Sequence, residues 1–168
     1  GVGPIAPVDI TRATMLLRAN ALSKGVSGCR PILVETLIQM LNTNLTPLIP
    51  VQGSCGSSGD LAPLAHLGLV MIGDNLGQAN YNGQILPSLD ALMQAGISPL
   101  TLQAKEGLAI TNGAQLSTAF GALNCFDANQ LILCAELAAA MSIEALLGVS
   151  RAFHPSVHKM RPYIGSQI

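Results

Sequence analysis

Residues 51–66 read VQGSCGSSGDLAPLAH. From Gly53 to Asp60 the chain carries only Gly, Ser, Cys and Asp, and an apolar run opens at Leu61. Glycines admit backbone angles that other residues resist, so this stretch is a tight turn ahead of a helix. A phosphate loop would have a Lys-Ser/Thr pair after its last glycine. Here Asp60 follows Gly59, and its charge repels phosphate. A serine nucleophile elbow reads G-x-S-x-G after a strand. Gly56-Ser57-Ser58-Gly59 is one residue shorter and has helical flanks. The plain structural alternative is a flexible or capping turn, with Ser58 or Asp60 capping the next helix.

Outward from this turn, the patterns predict helices. Asp9 is placed to cap a first helix reaching about Lys24, with Gly25 as its stop. Pro31 suits the first turn of a second helix. In it Leu33, Leu37 and Leu41, with Val34 and Ile38 beside them, make one apolar face ended by Pro47 and Pro50. Leu61 to Ile72 is apolar nearly all round except His66, as in a helix buried on most sides. Asn82-Gly83 is a hairpin signal. Pro87 opens a short helix and Gly96 closes it; Asn112 to Leu147 contains no proline and predicts one long helix, about 54 Å at 1.5 Å per residue. The expected class is all-α with one small β-hairpin near Asn82-Gly83 and no internal repeat.

Composition bounds the function. Of 168 residues, 49% are hydrophobic and only 10% charged, against about 25% charged in an ordinary soluble domain. Such a chain cannot coat its surface with charge, and the long helix needs partner helices from elsewhere. A membrane span is not expected: Gly107 to Phe126 is uncharged but holds Thr111, Asn112, Gln115, Ser117, Thr118 and Asn124. No signal peptide is visible; the low charge suits a soluble piece of a larger chain, an oligomer, or both, and the start at Gly1 without Met fits a fragment. A net charge of −1 and 3% aromatic residues leave no footprint for nucleic acid. Cys29, Cys55, Cys125 and Cys134 form no CxxC pair. Free thiols, two of them buried in helices, and a reducing cytoplasmic compartment are expected. His154 and His158 stand four apart, but Pro155 intervenes and no third ligand is near, so no metal site is expected. His66 reads as a core or interface histidine rather than a base.

The segment GSCGSSGDLAPLAH closely resembles the signature of the aromatic amino acid ammonia-lyases. KEGLAITNGAQLSTAF (105–120) is similar to the family's Asn-Gly-x-Gln segment, and SIEALLGVSRAFHPSVHKMRP (142–162) to the helix and loop that follow. The likeness covers the whole chain, 1–168, as a single piece of a larger helical lyase domain whose N- and C-terminal parts lie outside it. It implies that Ser57-Ser58-Gly59 cyclises into methylideneimidazolone (MIO), with no external cofactor. The Gly59 nitrogen would attack the Ser57 carbonyl carbon, and two waters would leave, one from the Ser58 side chain, which becomes a methylene. The neighbouring glycines would let the turn compress, and the following helix would direct free N–H groups at developing negative charge. The family has Ala where this chain has Ser57, but only the carbonyl and Cα of that residue enter the ring. The family's RPHxGQ-like run appears here as RPYIGSQ, with one extra residue.

The resemblance further implies an active-site role for Asn112, which spacing alone would make a helix cap. It assigns Asp60 and Gln115 to hydrogen bonds that hold the turn. SGDLAPLAH looks more like the members acting on histidine, which implies deamination of L-histidine to trans-urocanate and ammonia in a cytoplasmic homotetramer. The family's tyrosine base and its later tyrosine, arginine and glutamate residues do not map onto this chain, whose Tyr81 and Tyr163 fall outside those motifs. Two alternatives stand beside this reading. One is a tyrosine or phenylalanine ammonia-lyase or aminomutase on the same scaffold; the other is a catalytically silent helical scaffold or interaction piece.

Overall fold

The computed structural model describes residues 1–56, 59–160, 163 and 165. Two compact units divide at Asn124/Cys125. In the first, strand β1 (Val2–Ile5) is followed by helices α1 (Val8–Leu22) and α2 (Ile32–Asn42) and by strands β2 (Thr46–Pro47) and β3 (Pro50–Gln52). Helix α3 (Leu61–Met71) then leads to β4 (Gln78–Tyr81), β5 (Gln84–Pro87), α4 (Ser88–Gln94) and α5 (Glu106–Thr111). The long helix α6 (Gln115–Ala145) begins in this unit.

Helix placement follows the apolar pattern, with instructive offsets. Helix α1 begins one residue before Asp9, whose carboxylate accepts from the Ile10 N–H (2.8 Å) in the first turn, so Asp9 is not the cap. Pro7, with its ring-fixed φ of −52°, holds the cap position. In α2 the buried stripe is Leu33, Thr36, Leu37 and Met40, and Ile38 turns outward. The helix ends at Asn42, ahead of the prolines, where Asn44 adopts a left-handed φ of +57°. Pro47 and Pro50 sit in strands instead.

The hairpin forms at the expected place. Asn80 faces Ile85 and Tyr81 faces Gln84, while Asn82 and Gly83 both take positive φ (51° and 83°), as a two-residue primed turn requires. Two further pairings were not foreseen: β2 adds to the hairpin beside β4, and β1 pairs antiparallel with β3. Both are too short to show a two-residue alternation in the sequence. The core of this unit packs Met15, Leu33, Leu37, Met40, Leu45, Ile49, Leu64, Leu67, Met71, Leu92 and Ile110, all fully buried. Truncating one such leucine to alanine costs about 2–5 kcal/mol.

Helix α6 starts at Gln115, not Asn112, because Asn112 has extended backbone (φ −77°, ψ 113°) that ends α5 and opens a short link. It ends at Ala145, where Leu147 turns left-handed (φ 55°) and the Gly148 N–H reaches the Ile143 carbonyl (2.7 Å). Among the described residues of α6, Leu116 and Ala119 alone are buried, near its start. Phe126, Leu131, Ile132, Leu133, Leu137 and Met141 are exposed. The stretch Glu106–Ala145 is apolar enough, by length and composition, to cross a membrane, although the Asn112–Ala114 link interrupts it.

The second unit contains the rest of α6, a 3₁₀ turn (Ser150–Phe153) and α7 (Pro155–Lys159). His154 caps α7, its Nδ1 meeting the Ser156 N–H at 3.3 Å and the Ser156 hydroxyl at 2.8 Å, which places it outside the helical turn that carries His158. All four cysteines are free. Cys125 and Cys134 are exposed on α6 rather than buried, because none of the described residues covers that part of the helix; Cys55 is exposed and Cys29 half-buried.

Candidate active site

Ser57 and Ser58 lie outside the described residues, but the backbone that flanks them is tightly bound. The Gly59 N–H donates to the Gly56 carbonyl (2.7 Å), and the Cys55 N–H donates to the Gly59 carbonyl (3.0 Å). A Cβ on Gly59 would collide with the Gly56 carbonyl oxygen, with the Gly56 nitrogen at 2.5 Å and with the Cys55 carbonyl carbon at 2.8 Å. All three are backbone atoms that cannot swing aside, so the turn closes only around a residue without a side chain. Gly56 itself has φ +86°.

Asp60 is fully buried directly after this turn. It occupies the cap position of α3 yet makes no side-chain bond to that helix. Its carboxylate instead accepts from the Ser117 N–H (2.8 Å) and the Ser117 hydroxyl (2.9 Å), in the first turn of α6. The Asp60 N–H donates to the Gly113 carbonyl (3.2 Å). A carboxylate at a helix N-terminus satisfies donors that have no partner within the helix and opposes the positive end of its dipole. The turn is thereby tied to the link between α5 and α6, which carries Asn112. In α3 itself, Pro63 supplies no N–H, so only Leu61 and Ala62 can offer first-turn amides toward the preceding turn.

Asn112 stands at the end of α5, exposed, its N–H bonded to the Leu108 carbonyl (3.0 Å). With Arg18, Ser27, Lys105, Leu108 and Ala109 it lines a cavity of ≈ 250 Å³. Gln115 begins α6, and its side-chain oxygen accepts from Arg18 Nη1 (2.9 Å). Arg18 Nη2 donates to the Ala109 carbonyl. Arg18 is 5% exposed, and burial pushes its guanidinium below the usual arginine value. Lys105 caps α5 in a left-handed conformation (φ 73°) and donates to the Ser27 carbonyl (2.8 Å). Beneath this wall Glu106 is buried and accepts from Arg30 Nε (2.8 Å), Arg30 Nη2 (2.7 Å), the Arg30 N–H (3.1 Å) and the Gln103 N–H (2.7 Å). The Arg30 side chain, foremost, holds the Glu106 carboxyl at about 2.

The geometry thus brings Gly59, Asp60, Gln115 and the Asn112 link into one connected set. Sequence reading missed Arg18, Gly113 and Ser117 as members of it. A signal for Arg18 was present: it falls on the stripe of Met15, Ala19 and Leu22, where a charge interrupts an otherwise apolar face. His66 is half-buried on α3, and burial pushes its pKa below the ordinary histidine value. Tyr81 is half-buried in β4, and Tyr163 is exposed.

Known proteins resemble this chain along its whole length. The family model described as aromatic amino acid lyase matches residues 1–168. A histidine ammonia-lyase of Alkaliphilus metalliredigens is 51% identical over 99% of this chain and 32% of its own length. The crystal structure of histidine ammonia-lyase from Trypanosoma cruzi superposes with a TM-score of 0.89 at 38% identity, over 99% of this chain and 32% of that one. Phenylalanine aminomutase of Pantoea agglomerans does so with the same TM-score and identity, over 98% of this chain and 31% of its own. The chain spans about a third of the length of the curated relatives it matches. It belongs to the aromatic amino acid lyase family.

Proposed function

We propose that the chain is one part of a carbon–nitrogen lyase that deaminates L-histidine to trans-urocanate and ammonia, with an electrophile made from Ser57, Ser58 and Gly59. The observation that carries this reading is the Gly59 turn, closed so tightly that a Cβ would meet Gly56 and Cys55 backbone. Attack by the Gly59 nitrogen on the Ser57 carbonyl carbon needs a residue without a side chain at this place, and the close Gly56 and Cys55 backbone supports that reading. The residues present fit an MIO group, which when formed supplies an electrophilic methylene for the substrate.

In this reading the residues joined to the turn have distinct tasks. Asp60 and Ser117 fix the turn against α6, and Asp60 N–H fixes the Gly113 carbonyl. Asn112 presents a neutral amide to the group and the substrate; Gln115, expected to bond to the turn, instead accepts from Arg18 and braces the start of α6 beside Asn112. The proton-abstracting base and the remaining substrate contacts belong to parts of the enzyme outside these 168 residues. The whole protein is further proposed to be a cytoplasmic homotetramer acting in histidine catabolism, with the exposed face of α6 covered by sister subunits.

The 51% identity to a histidine ammonia-lyase favours histidine as substrate. The equal superposition on a phenylalanine aminomutase supports a second reading, an aromatic lyase or aminomutase with another amino acid. The test is the full-length enzyme. Its intact mass should fall below the encoded mass by two waters, and L-histidine should yield urocanate and ammonia. An unmodified mass in folded, soluble protein refutes the electrophile. Cinnamate, coumarate or a β-amino acid from L-phenylalanine or L-tyrosine, with no urocanate from L-histidine, selects the second reading.

A further inference from the structure

We propose that Arg18 is a positioning residue of this site. By bridging the Ala109 carbonyl and the Gln115 side chain, it fixes the Asn112–Ala114 link and thereby where Asn112 is presented. The proposal rests on the lyase reading. Arg18 comes from α1, 91 residues before Ala109 and 97 before Gln115, so its contacts do not follow from local chain geometry. Its two acceptors stand on either side of the link, one in the last turns of α5 and one at the first residue of α6. Between them, Nη1 would lie 2.5 Å from a Cβ on Gly113. The guanidinium therefore occupies the space beside Gly113, while Gly113 offers its carbonyl to the Asp60 N–H. The link is pinned by a cation on one side and by the residue after Gly59 on the other.

Stability alone does not account for this choice. Among the described residues no carboxylate pairs with Arg18, and its Nε is buried without a partner. A buried cation with incomplete bonding is costly, and an apolar side chain would suit the stripe of Met15 and Leu22 better. The arrangement has a use if two fixed donors in a planar fork are needed to hold two acceptors at once. A lysine, with a single compact ammonium on a flexible stem, does not reproduce that fork.

The experiment compares full-length wild type, Arg18→Lys, Arg18→Met and Gln115→Met. Three properties are read: kcat and KM for L-histidine, the loss of two waters by intact mass, and amide hydrogen exchange of residues 109–117. Arg18→Lys and Arg18→Met are expected to lower kcat about 10²-fold, the effect of a displacement near 1 Å. KM should change little, the two waters should still be lost, and exchange should quicken at 109–117 but not in α2. Wild-type kcat with unchanged exchange in Arg18→Lys overturns the proposal, whatever its melting temperature. If the Arg18 variants do not fold, Gln115→Met removes the acceptor and leaves the cation. The same fall in kcat and faster exchange support the clamp, and wild-type values of both overturn it. Wild type without urocanate, ammonia or mass loss refutes the lyase reading instead, and the exchange measurement still decides whether Arg18 holds the link.

Discussion

Asp60 and Ser117 are 57 residues apart, yet one buried carboxylate takes both the backbone N–H and the hydroxyl of Ser117. That pairing joins the Gly59 turn to the start of α6. Asp60→Ala would strand both donors, and hydrogen bonds to a charged group contribute about 1.5–3 kcal/mol each. We expect a loss of about 3–6 kcal/mol in urea unfolding of the full-length enzyme, and a smaller loss for Asp60→Asn, which keeps one acceptor. Equal stability of Asp60→Ala and wild type contradicts the pairing.

Gly59→Ala tests the turn directly. The new Cβ meets backbone on both Cys55 and Gly56, so the turn must open. The variant should retain its encoded mass, without loss of two waters, and produce no urocanate. Ser58→Ala should lose activity as well, because no side-chain hydroxyl remains to leave, and its far-ultraviolet spectrum should match wild type. A Gly59→Ala protein that still loses two waters would show that the turn closes around a side chain after all.

Glu106 sets an acid limit. Its carboxyl is held at about 2, against an ordinary 4.5, mainly by Arg30. A depressed carboxyl stabilises the fold fully above its unfolded value, and that contribution is lost as pH falls from about 4.5 through about 2. Urea midpoints of wild type and Glu106→Gln should therefore differ most at neutral pH and converge as pH approaches about 2. A constant gap across that window shows that Glu106 contributes by packing and not by charge.

The exposed leucines of α6 predict assembly. Leu131, Leu133 and Leu137 are 70%, 58% and 63% exposed within these 168 residues, an apolar face that the rest of the subunit or a sister subunit has to cover. Light scattering of the full-length enzyme should give a higher oligomer, expected to be a tetramer. Leu131→Glu with Leu137→Glu should shift it to smaller species. A stable monomer at micromolar concentration argues against this reading.

The 168-residue chain alone should release no urocanate from L-histidine. A positioned base typically contributes about 10²–10⁴-fold, and the family's base does not map onto this chain. Urocanate formed by the purified chain, free of full-length enzyme, would point to His66, Tyr81 or Tyr163 as the base.

What the sequence revealed and what it hid divide along a physical line. Helices α2, α3 and α6 and the Asn82-Gly83 hairpin were legible because each is written in a local period or a turn signal. Strands β1, β2 and β3 were not, since two to four residues carry no period and their partners lie far away. Asp60 was legible by its place beside the signature, but its bond to Ser117 was not, because a side chain at a cap position ordinarily serves its own helix. Arg18 showed only as a charge on the apolar stripe of α1; its acceptors, more than ninety residues distant, were not legible.

The distant pairing of Asp60 also sets an order of events during synthesis. The serines emerge from the ribosome more than fifty residues before Gly113 and Ser117, and a loop of that length has to close before Asp60 finds them. Until then the turn lacks its anchor on α6. On the proposed reading, dehydration of the serine waits for the tertiary contact, and a nascent chain stays chemically inert until the helix that will hold its electrophile has arrived.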